Sequence, residues 1–121
     1  MVTAKQNIIL ERTLDFAIDI VSFCEELESK KKFVISRQLL KSGTSIGANI
    51  REAQGAESKK DFIHKLKISY KEAEETEYWL IICRESKNYP FQEILLENLV
   101  VIKKILNKII SSTKSISTST N

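Results

Sequence analysis

Apolar residues recur along the chain at the three- and four-residue spacing of amphipathic helices, and no stretch shows the two-residue alternation of a competing strand. A first helix is predicted over about residues 7–29. Ile9, Phe16, Ile20, Phe23 and Leu27 form one stripe, and Leu10, Leu14, Ala17, Val21 and Cys24 form a second beside it, so the apolar face is broad. Its polar face is acidic: Glu11, Asp15, Asp19, Glu25, Glu26 and Glu28 stand against Lys5 and Arg12. A short turn at 29–32 leads to a second helix over about 33–54, with Ile35, Leu39, Ile46 and Ala53 on its core face. Gly55 fits a left-handed stop at its end.

Ser58 is placed to cap a third helix over about 58–86, with Asp61 three residues on as in a capping box. Phe62, Leu66, Ala73, Leu80 and Cys83 give that helix its core stripe. The sequence NYPF at 88–91 breaks it, because Pro90 disfavours helix at the residue before it. A fourth helix follows over about 91–112, carried by Leu95, Leu99, Ile102, Leu106 and Ile109. Residues 113–121 are polar and low in complexity, and a frayed or disordered tail is expected. Four long amphipathic helices with short connections predict an all-α, up-down-up-down antiparallel four-helix bundle spanning 1–112.

The stretch SGTSIGANIREAQG at 42–55 stands out, since it holds all three glycines of the chain. Read as helix, it places Gly43 and Gly47 on one flank and Ser42, Ser45, Asn49 and Glu52 along the other as a polar seam. An interior helical glycine costs about 1 kcal/mol relative to alanine, so two on one face imply a close neighbour. The expectation is that Asn49 and Glu52 are buried and hydrogen-bonded, fixing helix register within the bundle or across subunits. The stretch lacks the Gly-Lys-Ser/Thr ending of a phosphate-binding loop.

The same region carries a resemblance. SIGANIREAQGAESKKDFIHKLKISYKEAEETEYWL resembles the hallmark of the four helix bundle protein family, which includes proteins encoded in intervening sequences of bacterial large-subunit ribosomal RNA genes. The matching positions are Ser45, Ile46, Asn49, Ile50 and Glu52, then Ser58 and Lys59, Phe62 and Leu66, and Glu75 and Glu77. The resemblance implies a bundle that assembles into a ring, typically a homopentamer. It also brings in a similar branch, the accessory proteins of diversity-generating retroelements, which work with a reverse transcriptase and RNA through a basic surface. It implies no catalytic residue.

Charge is unevenly distributed. With a net charge of only +3, the segment from Lys59 to Lys71 holds five lysines and one aspartate, and Glu72 to Glu77 holds four glutamates and no base. Lys59, Lys60, His64, Lys67 and Lys71 form a candidate nucleic-acid surface, with the last four on the helix side away from the core. Lysines without aromatic or arginine readout suit phosphate contacts of low sequence specificity and strong salt dependence. A merely solvated face and a charge-complementary subunit contact remain open. Tyr78, Trp79 and Ile82 lie outside the core stripe and form a candidate oligomer interface.

Other chemistry is not indicated. The single histidine, His64, has no partner for nucleophilic catalysis, and no metal-ligand spacing occurs. The chain is expected to be a non-enzyme with no cofactor. Cys24 and Cys83 read as core thiols of a reducing compartment. No run approaches the roughly 20 apolar residues of a membrane span and no signal peptide is evident, so a cytoplasmic location is expected. Expected partners are the chain itself, RNA or DNA, and a reverse transcriptase or other protein. The alternative is a protein-binding scaffold with no nucleic-acid role.

Overall fold

The computed structural model describes residues 4–119, with side-chain surroundings for 7–115. It contains four helices: α1 (Ala4–Ser29), α2 (Phe33–Ala53), α3 (Lys59–Glu85) and α4 (Glu93–Ser119). They form an all-α bundle of the up-down kind. Each helix packs on its two neighbours, α1 on α2, α2 on α3, α3 on α4 and α4 on α1, whereas no Cα atoms approach within 8 Å across either diagonal among the described residues.

The boundaries have local causes. Leu27 O accepts from both Lys30 N and Lys32 N, and Lys31 adopts φ 63° between them, which turns the chain tightly into α2. Ser58 Oγ accepts from Asp61 N at 3.0 Å and caps α3, as its spacing predicts. Asn88, at φ 65°, and Pro90 delay α4 until Glu93. Two expectations change here. Gly55 has no positive φ; α2 ends instead through Gln54 N on Arg51 O and Gly55 N on Glu52 O. Residues 113–119, expected as a tail, continue the backbone of α4.

The core is built from the predicted stripes. Phe16, Phe23, Ile9, Ile20, Leu27, Leu39, Ile46, Leu66, Leu80, Leu95 and Leu99 are fully buried, each contributing about 1.5–3 kcal/mol on leaving water. Phe62 is only partly covered at the edge of this core. The second stripe of α1 behaves differently. Cys24 is buried, but Leu14 and Val21 are exposed and Leu10 and Ala17 are half-buried. The bundle has room inside for one stripe per helix, so the other remains on the surface.

Small polar residues let α2 approach both neighbours. Toward α1, a Cβ on Gly43 would stand 2.9 Å from Ile20 Cγ2, and one on Gly47 would stand 3.0 Å from Thr13 Oγ1. Ser36 Oγ donates toward Cys24 O and Glu28 Oε2 across the same seam. Toward α3, Ser69 Oγ donates to Ile46 O at 2.8 Å, and the Thr76 and Ser42 hydroxyls share a bond of 2.9 Å. Among the described residues, no buried side-chain polar atom lacks a partner.

The polar seam is drier at one end than the other. Ser42 is buried and bonded to α3, but Ser45 and Asn49 are half-buried and bond only within α2, to Lys41 O and Ser45 O. Glu52 is exposed and reaches across to Lys65 Nζ at 3.1 Å. Both side chains are thus hydrogen-bonded as expected, but within the protomer Asn49 is only half-buried and Glu52 is exposed, which corrects their expected burial inside the bundle. Ser42 sits where α2 and α3 cross closely; Glu52 lies on the outer edge of that seam, where a carboxylate stays hydrated.

Candidate nucleic-acid interface

The basic face begins with the cap of α3. Once Ser58 sets the first turn, the helical repeat brings Lys60, His64, Lys67 and Lys71 onto one side, three or four residues apart. All four are exposed, and so is Lys59. Lys65 is turned the other way, into the α2 seam with Glu52. None of Lys59, Lys60, His64, Lys67 and Lys71 forms a salt bridge among the described residues, whereas Lys103 is paired with Glu77 at 3.3 Å.

A further lysine joins this face from another helix. The Lys114 side chain of α4, by hydrogen bonding and then by charge repulsion, pulls the Lys67 ammonium below the ordinary lysine range. Two lysines from two helices thus lie side by side, and an anion between them would relieve their mutual repulsion. Sequence reading placed Lys114 in the tail and missed this juxtaposition. The signal was the antiparallel pairing of α3 with α4, which runs through Lys103 against Glu77 and Asn107 Nδ2 against Tyr70 Oη.

The lower half of α3 is acidic. Burial first, then the nearby Glu75 charge, raises the Glu72 pKa, and Lys41 of α2 partly offsets both. Tyr78 is 60% exposed. Trp79 is half-buried against the core, and its indole N–H donates to Glu75 Oε2 at 3.1 Å. Ile82 is half-buried. The three do not form one uniform exposed patch: Tyr78 protrudes, and Trp79 has already found cover within its own bundle.

No group of three or more potential metal-ligating side chains occurs among the described residues. Cys24 and Cys83 are buried and form no disulfide. They lie on α1 and α3, diagonal helices, so their Cα atoms are more than 8 Å apart, beyond the roughly 4.4–6.8 Å that a disulfide spans. No helix among the described residues is long and apolar enough to cross a membrane.

This arrangement can be set beside known proteins. The model of the 23S rRNA-intervening sequence protein family matches residues 5–111, which covers all four helices up to the last turns of α4. The chain belongs to that family. Among solved structures, this member of the intervening sequence family is similar to a protein with unknown function from the S23 ribosomal protein family of Bacteroides thetaiotaomicron VPI-5482. The two are 44% identical, the match covers 88% of this chain and 98% of the other, and the TM-score is 0.84. No curated protein matches the chain.

Proposed function

We propose that this intervening sequence family member is a non-enzymatic, ring-forming bundle of the cytoplasm that binds nucleic acid, structured RNA above all, through the lysine face of α3. One observation carries the reading: Lys60, His64, Lys67 and Lys71 are exposed together on one helix side, without carboxylate partners among the described residues. Desolvating a paired lysine would cost its salt bridge; these have none to lose, so phosphates meet little competition. The protrusion of Tyr78 and the surface stripe of α1 support self-association, since contiguous exposed apolar surface marks contact sites. The family's name links its members to ribosomal RNA genes, which favours RNA over DNA as the first ligand to test. RNA binding by the intact protein, compared with a Lys60→Glu, Lys67→Glu, Lys71→Glu variant, tests the reading. If both bind alike, the face is only solvated and the protein-scaffold alternative takes its place.

A further inference from the structure

Part of the charged face of α1 turns toward α4. At 100° per residue, Arg12, Asp15 and Asp19 lie within about 60° of one another. With Asn98 of α4 they ring a cavity of about 120 Å³ between the two helices, floored by Phe16 and Ile102. Both floor residues belong to the buried core. Arg12, Asp15 and Asp19 are exposed and Asn98 is half-buried, so the cavity opens to solvent.

Opposite charges line this cavity without joining. Asp15 follows Arg12 by three residues, a spacing at which helical side chains meet, yet no salt bridge links Arg12 to Asp15 or Asp19 among the described residues. The Asn98 amide has no hydrogen-bond partner among them either. Over the seven residues from Arg12 to Asp19 the helix rises about 10 Å. Positive charge therefore lies toward one end of the cavity and negative charge toward the other.

These groups complement a ligand that carries both charges. An ammonium has three donors. Asp15 and Asp19 can accept two of them, and the Asn98 amide oxygen can accept the third. The Arg12 guanidinium presents its fork of donors to a carboxylate. At roughly 30 Å³ per water, the cavity holds about four water-sized groups, the size of the ammonium, α-carbon, methyl and carboxylate of alanine. A lone cation suits the site less well, because it would leave Arg12 unmatched and repelled. No group of three or more potential metal ligands occurs among the described residues.

We infer that this cavity binds a small α-amino acid. The ammonium sits among Asp15, Asp19 and Asn98, the carboxylate lies on Arg12, and the short side chain rests on Phe16 and Ile102. A ligand with a single charge satisfies one end of the cavity and leaves the other unmet. The site lies on α1 and α4, apart from the lysine face of α3, so it stands whether or not that face binds RNA.

Titration of L-alanine into the intact protein, labelled at its isoleucine δ methyl groups and read by methyl NMR, tests the inference. A saturable shift is expected at Ile102, with the Ile46 methyl of α2 unmoved. Ion pairs at an accessible site are individually weak, so half-saturation is expected in the millimolar range. Ethylamine and propionate, which carry the ammonium or the carboxylate alone, are each expected to need at least about tenfold more. Arg12→Gln and Asp19→Asn, both at exposed positions, are each expected to raise the L-alanine midpoint at least about tenfold, with unchanged thermal unfolding as the check on the fold. An Ile102 methyl that stays still up to about 50 mM L-alanine, well above a millimolar midpoint, overturns the inference. An equal response to ethylamine or to propionate overturns it too, since the cavity would then take any amine or any carboxylate. So does an L-alanine midpoint that neither substitution moves.

Discussion

Gly43 lies directly beneath Ile20, close enough that a Cβ there would stand 2.9 Å from Ile20 Cγ2 and 3.0 Å from Cγ1. Ile20 is fully buried and β-branched, so it has little freedom to yield. Gly43→Ala therefore sets overpacking of about 1–3 kcal/mol against a helix-propensity gain of about 1 kcal/mol. The expected result is a net loss of about 1 kcal/mol in urea unfolding. Gly47→Ala is expected to go the same way, since Thr13 Oγ1 at 3.0 Å is tied to Ile9 O. Gly55→Ala is expected to have the opposite sign, a gain of about 0.4–1 kcal/mol, because its nearest neighbour is Glu52 O at 3.7 Å and its φ is not positive.

The Ser42–Thr76 bond joins two buried hydroxyls of α2 and α3. Ser42→Ala is expected to cost about 1 kcal/mol. Thr76 keeps a second acceptor in Glu72 O at 2.8 Å, so the loss stays modest. Thr76→Val with Ser42→Ala is expected to cost less than the two single variants summed, because both remove the same Ser42–Thr76 bond. Chemical denaturation of the two single variants and the double variant measures the coupling.

Burial pushes the Cys83 thiol up to about 11, with Cys24 adding to the rise. Burial also raises Cys24, partly offset by its bond with Ser36. Both thiols are expected to resist alkylation at pH 8 in the folded protein and to react once it is unfolded. The linkage sign follows from the raised pKa. The native state holds the Cys83 proton more tightly, so its contribution is full below about pH 9 and is lost as pH rises from the ordinary value of 9.0 toward 11. The fall in stability over that window is expected to be smaller in Cys83→Ala.

Much of the bundle was legible in the sequence because periodicity reports helices directly. The α4 stripe from Leu95 to Ile109 is buried as read, and Ser58 caps where its spacing put it. The glycine flank was readable too, since two costly residues on one face require a close neighbour. What escaped depends on partners that spacing does not supply. Leu14 and Val21 look like core by period, and only the finite width of the bundle leaves them outside. Trp79 looks exposed by angle, yet a large ring at a helix flank can fold back onto its own core. Lys114 joins Lys67 only because α4 runs past the point where its polar composition suggested an end.

The central claim is that the lysine face of α3 contacts phosphates. Fluorescence anisotropy with a structured RNA, over a series of salt concentrations, tests it most directly. The unaltered protein is expected to lose affinity linearly in log–log form, with a slope of about −0.7 to −0.9 per phosphate contact. The Lys60→Glu, Lys67→Glu, Lys71→Glu variant is expected to bind weakly with a much shallower slope, while light scattering shows the same assembly. Equal affinity and equal slope in the two proteins would contradict the account.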